Sequence, residues 1–267
     1  MAGPAPLEHG RLRLLEPAGS CEALLRRQLA DGSYDKPFIL DCGLLRFLYF
    51  DLCNIQSVMR QDNPDALCLA YTRRMMAFLL FNPRPRRILL LGLGGGSLAK
   101  FCYRHLPSAA ITVLEIDPHV LALREEFRVP PDGERFRVLR GDGIGFIARR
   151  APRADVILVD ACDGKGLTPA LSTPDVYSNL RRRLAIGGVL VMNICGDSKQ
   201  AASHTARIRG VFGQHVITLP VTQDGNLIVL AFRAAPSPAE GARLEKRALT
   251  LEKRFGLPFP RYVRNMG

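Results

Sequence analysis

The chain contains 267 residues, of which 47% are hydrophobic, and it carries a formal net charge of +12 at pH 7. This length is sufficient for one α/β domain with a sizeable core and a smaller appendage. No apolar run approaches the length that spans a bilayer, and no charged segment followed by an apolar run marks a signal peptide. The composition therefore excludes a membrane partner or anchor and predicts a cytoplasmic protein.

Arginine accounts for most of the positive charge, since only six of the 37 basic residues are lysine. Guanidinium groups suit an anionic partner such as RNA or an acidic protein surface. The alternative is an ordinary solvated surface, which is favoured because the arginines are spread along the sequence.

Seven cysteines are scattered through the chain without any C-x-x-C pair. Their odd number and irregular spacing fit neither a disulfide framework nor a zinc site. We therefore expect reduced thiols, several of them buried, and no metal.

The elements divide the chain into four parts. Residues 1–36 are interpreted as a variable leader with a short helix near 22–30. Residues 37–82 contain three short strands and a helix over 65–81 that packs on the main domain. Residues 83–234 form a nucleotide-binding catalytic domain, and residues 235–267 form a charged helix and a Pro-rich tail.

The third part alternates strands with helices, which is typical of a parallel sheet covered on both faces. Strands are predicted near 88–92, 111–116, 135–139, 154–160, 188–194, 214–219 and 226–232, with five helices between them. A short turn joins the last two strands, so the sheet is expected to end in an antiparallel hairpin. The predicted fold is a doubly wound, mostly parallel seven-stranded α/β sheet of the Rossmann-like methyltransferase type, with a small N-terminal β element.

A glycine turn follows the first strand of this sheet. Gly92, Gly94 and Gly96 let the backbone turn sharply and approach a ligand closely. Glu115 lies 19 residues after Gly96, at the tip of the next strand, where a carboxylate can accept hydrogen bonds from two ribose hydroxyls. A nicotinamide fingerprint favours Gly or Ala at position 97, where this chain has Ser97. The pattern therefore predicts an adenosine compound rather than a dinucleotide.

Acidic residues follow the next two strands as well. Asp142 lies between Gly141 and Gly143 after the third strand, and Asp160 and Asp163 follow the fourth. Any one of these residues could be a helix cap or turn former. Because parallel strands end at one edge, where open α/β sheets bind ligands, we expect the four strand ends to converge on one crevice.

These motifs resemble the spermidine synthase family over residues 37–232. The resemblance rests on the following segments in order: Asn54-Ile55-Gln56-Ser57, the G-x-G-x-G turn, Glu115-Ile116-Asp117-Pro118, Gly141-Asp142-Gly143 and Asp160-x-x-Asp163. It implies S-adenosylmethionine, or its decarboxylated form, as the donor, and a homodimer as the assembly.

The resemblance also implies roles for individual residues. Gln56 would contact the amino-acid-derived end of the nucleotide, Glu115 the ribose and Asp142 the adenine amino group. Further cofactor contacts fall on the turn glycines, Ile116 and Gly143, and acceptor contacts fall on Tyr71 and Asp163. Asp160 would lie beside the sulfonium and accept the proton of an attacking amine, with Asp163 orienting the acceptor.

Two departures from the family pattern concern the amine side of the site. The family's glycine turn normally includes an aspartate that binds an ammonium group, and the aligned residue here is Gly95. A second motif places an acidic residue two positions after a tyrosine, and here Tyr71 is followed by Arg73. A dicationic amine needs carboxylates at both ends to offset the loss of its hydration.

Three functions remain open from the sequence. The leading hypothesis is methyl transfer from S-adenosylmethionine to an unidentified amine or protein, because the G-L-G-G-G-S turn resembles that of certain protein-modifying methyltransferases. The alternative is a polyamine aminopropyltransferase that uses decarboxylated S-adenosylmethionine. A second alternative is a basic nucleic-acid-binding protein without catalysis, which the scarcity of aromatic residues among the arginines disfavours.

Overall fold

The computed structural model describes residues 10–16, 20–52, 54–149, 152–163, 166–167, 169–222, 225–236 and 238–266. The chain forms thirteen strands and nine α-helices within these ranges. Cys53 and residues 223–224 of the predicted hairpin turn lie outside these ranges. Asp163 is described for its backbone only.

A small antiparallel sheet comes first. Its strands are β1 (Arg11–Arg13), β2 (Phe38–Cys42), β3 (Leu45–Tyr49) and β4 (Ile55–Arg60), paired in that order, and helix α1 (Glu22–Asp31) connects β1 to β2. The three strands predicted after residue 37 are confirmed. Strand β1 was not predicted: it lies in the segment interpreted as a leader and pairs with β2 from Arg11↔Asp41 onward.

The predicted helix over residues 65–81 is shorter in the structure and changes type. Helix α2 (Ala70–Met75) is followed directly by a 3-10 helix, Met76–Leu80, whose five residues are all buried. The helix begins late because Leu69, the residue before it, has an extended backbone with φ −82° and ψ 145°. The apolar periodicity therefore indicated burial correctly but overestimated the length of the helix.

The main sheet confirms the predicted fold class. Its elements in chain order are β5 (Arg87–Leu91), α3 (Ser97–His105), β6 (Ala110–Glu115), α4 (Pro118–Ala122), β7 (Phe136–Arg140), α5 (Gly143–Ala148), β8 (Ala154–Val159), the two-stranded hairpin β9 (Cys162–Asp163) and β10 (Gly166–Leu167), α6 (Pro174–Arg183), β11 (Leu184–Ile194), α7 (Ser198–Phe212), β12 (Val216–Val221) and β13 (Asn226–Phe232). The strand order is β12-β13-β11-β8-β5-β6-β7, with β13 antiparallel to both of its neighbours.

Both faces of this sheet are covered. Along β5, Ile88 and Leu90 belong to one buried cluster, whereas Leu89 and Leu91 belong to another. This alternation is that of a strand buried on two sides, as a doubly wound sheet requires.

The C-terminal part packs on the first of these clusters. Helix α8 (Pro238–Phe255) buries Ala248 and Leu251, and helix α9 (Phe259–Arg264) forms where a Pro-rich tail was predicted. Within the described part of the chain, no helix is both long and apolar enough to cross a membrane.

Candidate active site

Three neighbouring strands bring their predicted site residues together at the carboxyl edge of the main sheet. The backbone N–H of Asp160 donates to the carbonyl of Leu91 over 2.9 Å, and that of Gly92 donates to the carbonyl of Leu114 over 2.9 Å. These bonds continue the ladder one residue beyond β5 and β8. Asp160, Gly92 and Glu115 therefore stand side by side, as the sequence predicted.

The glycine turn has a different requirement at each of its first two glycines. Gly92 has φ +98°, and a Cβ there would lie 2.1 Å from the carbonyl oxygen of Asp160. Gly94 has φ +51°, and a Cβ there would meet nothing within 4 Å. The first glycine is therefore needed for packing against the strand of Asp160, and the second faces open space where a ligand can approach.

Glu115 is held by the backbone on both sides of its carboxylate. Its Oε2 accepts from the N–H of Leu93 at 2.8 Å and its Oε1 from the N–H of Asp117 at 2.9 Å, and the residue is 8% exposed. Each carboxylate oxygen keeps lone pairs for further hydrogen bonds. The next residue, Ile116, is 66% exposed and offers an apolar surface beside this carboxylate.

Asp142 is a helix cap in the structure. Its Oδ1 accepts from the N–H of Ile144 and its Oδ2 from the N–H of Gly145, each at 2.9 Å, so it closes the first turn of α5 just before Gly143. Its side chain is exposed. The capping role is therefore present, and the contact with an adenine amino group stays a prediction.

Asp160 is the centre of a polar cluster. Tyr71 donates its hydroxyl proton to Oδ2 at 3.2 Å, and Asn193 donates from Nδ2 to Oδ1 at 2.9 Å. Asn226 in turn donates to Oδ1 of Asn193 at 2.9 Å. Burial raises the pKa of Asp160, while the hydrogen bonds from Asn193 and Tyr71 act to lower it. Asp160 as a residue is half-buried, and each of its carboxylate oxygens keeps a lone pair beyond these two bonds.

Asn193 was missed from the sequence. It is 2% exposed and lies near the end of β11, next to the strand that precedes Asp160. A single amide within the apolar run Val189–Ile194 was the available signal, since a buried polar side chain in a central strand needs a partner.

The cysteine prediction was wrong for one pair. Cys162 and Cys195 form a disulfide with a Cα–Cα distance of 6.3 Å. The parallel register pairs Val159 with Met192, and three residues further along each chain it brings these two cysteines opposite one another. Sequence spacing gave no signal because 33 residues separate them. The four other described cysteines, Cys21, Cys42, Cys68 and Cys102, are free.

The disulfide stands immediately beside the polar cluster. Each of its cysteines lies two residues after a member of the pair Asp160 and Asn193, and Nδ2 of Asn193 is 3.8 Å from Sγ of Cys162. The covalent link therefore fixes the ends of the two strands that carry these side chains. Strand β9 leads from it to the backbone of Asp163.

Position 95 is enclosed on the side where a side chain would point. A Cβ on Gly95 would lie 2.6 Å from Oγ of Ser57 and 2.9 Å from Cδ1 of Phe127. Ser57 is itself fixed by a 3.2 Å hydrogen bond with Ser97 and is the neighbour of Gln56 on β4. An aspartate at position 95 would therefore require these neighbours to move.

Arg73, which stands where the family pattern has an acid, has a structural role. Its Nη1 donates to the carbonyl oxygens of Leu67 at 2.9 Å and Cys68 at 2.6 Å, so it ties α2 to the preceding loop. The opposite charge at this position cannot attract an ammonium group.

The carboxyl edge fits an adenosine-type donor. The turn at Gly94 leaves open space beside the backbone. Glu115 offers hydrogen-bond acceptors, and the exposed side chain of Ile116 offers an apolar surface next to it. Among the described residues, no group of three or more His, Cys, Asp or Glu side chains is arranged to hold a metal ion.

Comparison with known proteins gives the family. The Spermine/spermidine synthase domain family matches residues 69–208, just over half of the chain. The polyamine aminopropyltransferase of Chromobacterium violaceum is 40% identical over 225 residues, which cover 84% of this chain and 86% of that protein. The chain therefore belongs to the spermine/spermidine synthase family, as its motifs indicated.

Methyltransferases are also among its relatives. The human eEF1A lysine and N-terminal methyltransferase is 32% identical over 167 residues, covering 55% of this chain and 24% of that protein. The crystal structure of human methyltransferase-like protein 13 in complex with SAH has a TM-score of 0.61 at 25% identity, covering 70% of this chain and 92% of that chain.

Together these relatives make the chain an S-adenosylmethionine-type group transferase. The more extensive match is to an aminopropyltransferase, so the comparisons favour the alternative over the leading hypothesis, and methyl transfer is not confirmed.

Proposed function

We propose that this protein is an aminopropyltransferase, which transfers the propylamine group of decarboxylated S-adenosylmethionine to an amine. The observation that carries the proposal is the carboxylate of Asp160, held by Tyr71 and Asn193 beside the glycine turn. Relatives whose matches cover 84% and 89% of the chain are named for this activity.

In this proposal the carboxyl edge holds the donor. We expect Glu115 to bind the ribose, Asp142 and Gly143 the adenine end, Gln56 the amino-acid-derived end, and the backbone at Gly92, Gly94 and Gly96 to allow close approach, with Ile116 against the base. The bound donor supplies an electrophilic carbon on its sulfonium, and a neutral thioether leaves when that carbon is attacked.

Asp160 has two tasks at the reacting nitrogen. An amine attacks through its lone pair, so it must be unprotonated, and it must release one proton as the new N–C bond forms. We expect Asp160 to accept that proton directly or through water, while Tyr71 and Asp163 position the acceptor. Burial raises the pKa of Asp160, which makes its carboxylate a better proton acceptor than an exposed aspartate.

Methyl transfer from S-adenosylmethionine is the second candidate, and position 95 favours it. The space beside Gly95 is filled by Ser57 and Phe127, and Arg73 replaces an acid, so neither position offers the second carboxylate that a diamine needs. An acceptor with one amine, on a small molecule or a protein, requires only Asp160.

The two candidates are separated by the nucleotide product. Purified protein is incubated with each donor and with putrescine, other amines or protein acceptors, and the thioether is identified by mass spectrometry. Methylthioadenosine formed from the decarboxylated donor supports the proposal, whereas S-adenosylhomocysteine formed from S-adenosylmethionine alone supports methyl transfer. Glu115→Ala should abolish both products, and Asp31→Asn, at the exposed last residue of α1, should change neither.

The proposal includes a cytoplasmic location and a homodimer. Light scattering after size-exclusion chromatography tests the dimer, since a mass near twice 29.5 kDa is expected. Fractionation of the producing cells tests the location.

A further inference from the structure

A second charged surface lies at the opposite edge of the main sheet. Strands β5, β8 and β11 begin at this amino edge, and the antiparallel strand β13 ends there. Arginines stand at all four positions, and we call this set the basic edge: Arg86, Arg87, Arg153, Arg181, Arg182 and Arg233.

The strand register brings these residues together. Leu184, directly after α6, pairs with Ala154, so Arg153 and the last turn of α6 are neighbours. Arg233 follows β13 and donates to the carbonyl of Leu184. Since adjacent strands lie about 4.8 Å apart, the row extends roughly 15 Å across four strands.

The charges of the basic edge are poorly neutralised. Five of its arginines are exposed, Arg233 is half-buried, and none takes part in the ion pairs found in the described part of the chain. Asp155, the one carboxylate in the segments that flank these strand ends, has Oδ2 occupied by the backbone N–H groups of Arg86 and Arg87 at 2.7 and 3.0 Å.

The arginines also act on one another. Burial lowers the pKa of the Arg233 guanidinium, and the positive charges of Arg153 and Arg181 lower it further. Like charges gathered around a single acid favour an anionic partner.

We propose that the basic edge binds the phosphate backbone of nucleic acid, without stacking on its bases or reading its sequence. A row of guanidinium forks matches a row of phosphates, because arginine binds phosphate through two parallel hydrogen bonds. An acidic protein is less well matched, since protein interfaces are centred on aromatic and apolar anchors. Ile186, near the start of β11, is exposed, but one apolar side chain does not form such an interface centre.

The basic edge is distinct from the proposed active site, because the two lie at opposite ends of the strands of the main sheet. Binding at the basic edge therefore does not depend on which group the enzyme transfers. The sequence suggested nucleic-acid binding in place of catalysis, and the basic edge would allow binding in addition to catalysis. Phosphate contacts do not require the aromatic side chains whose scarcity disfavoured that alternative.

The test is fluorescence anisotropy of the full chain with a labelled 20-nucleotide oligouridine at several NaCl concentrations. Six contacts predict a log–log salt slope of about −4, and loss of two predicts about −3. Arg153→Glu/Arg181→Glu should weaken binding about tenfold or more at 50 mM NaCl. The matched control, Arg27→Glu on the exposed face of α1, should bind like the parent protein.

Each remaining outcome decides against the proposal. It is overturned if the parent protein fails to bind at 50 mM NaCl, if the double variant binds equally well, or if polyglutamate binds more tightly than the RNA, which would indicate an acidic protein partner. Should charge reversal impair folding, as judged by circular dichroism, Arg153→Gln/Arg181→Gln replaces it with the same expected direction.

Discussion

The two edges of the main sheet differ in how their side chains are held. At the carboxyl edge, Glu115, Asp142 and Asp160 each accept two hydrogen bonds from defined partners, and a disulfide fixes the strand ends beside them. At the amino edge, arginines with little compensating charge repeat from strand to strand. The properties of the carboxyl edge depend on individual hydrogen bonds, whereas those of the amino edge depend on the summed charge of several arginines.

This difference predicts how each edge responds to substitution. Removing one contact at the carboxyl edge should have a large effect that is specific to the residue. Removing one exposed arginine at the amino edge should change stability by less than about 0.5 kcal/mol, because exposed charges contribute little individually.

Removing the disulfide at the carboxyl edge should cause the largest loss of stability. Replacing both Cys162 and Cys195 with serine removes a covalent link that closes a 33-residue separation. We expect the free energy of unfolding to fall by about 3–4 kcal/mol in urea, because the unfolded chain gains conformational freedom. The control Cys21→Ser, on an exposed and free cysteine, should leave it unchanged. Equal stability of the double variant and the parent would show that the link is absent in solution.

The glycine turn gives the next largest effect and separates packing from binding. Gly92→Ala should lower the free energy of unfolding by about 2–3 kcal/mol, because its Cβ meets the carbonyl oxygen of Asp160. Gly94→Ala should cost about 1 kcal/mol, because its Cβ has space and only φ is strained.

Donor affinity, measured by calorimetry, is the second property in which the two glycine variants should differ. Gly94→Ala should lose donor affinity despite its smaller loss of stability, since the added methyl group points into the open space of the turn. Arg153→Ala at the amino edge is the matched control and should leave donor affinity unaffected. Similar losses of stability in both glycine variants would contradict the assignment of Gly92 to packing.

The smallest effect concerns the pH dependence of activity. As the proposed proton acceptor, Asp160 must be ionised, so activity should fall as the pH drops through its pKa, which burial raises. Asn193→Ala removes a hydrogen bond that lowers this pKa, and the acid limb of the pH profile should therefore move to higher pH. Asn226→Ala, which acts through Asn193, should move it less. An unchanged acid limb in Asn193→Ala would mean that another group limits activity.

Much of the carboxyl edge was predictable because its signals are local. The apolar run before Gly92 is a strand, the acids Glu115, Asp142 and Asp160 lie at or just after strand ends, and parallel strands end at one edge. The strands of the main sheet were predictable from their buried periodic segments. Helix α2 was predicted to begin several residues too early, because Leu69 has an extended backbone.

The features that were missed depend on contacts between distant segments. Asn193 and the disulfide follow from the register of β8 against β11, which spacing along the chain does not reveal. The basic edge was likewise hidden, because Arg87, Arg153 and Arg233 are scattered in sequence until the crossovers return each strand to the same side. Strand β1 was missed because three residues carry too little pattern.

The role of Asp160 at the carboxyl edge is tested most directly by Asp160→Asn, which keeps the shape of the side chain and its place beside Tyr71 and Asn193. Donor binding is measured by calorimetry and turnover by thioether release, with Asp31→Asn as the control. We predict donor affinity within about tenfold of the parent and turnover lower by about 100-fold or more, because the proposed proton acceptor is lost. Turnover at the parental rate would contradict the account.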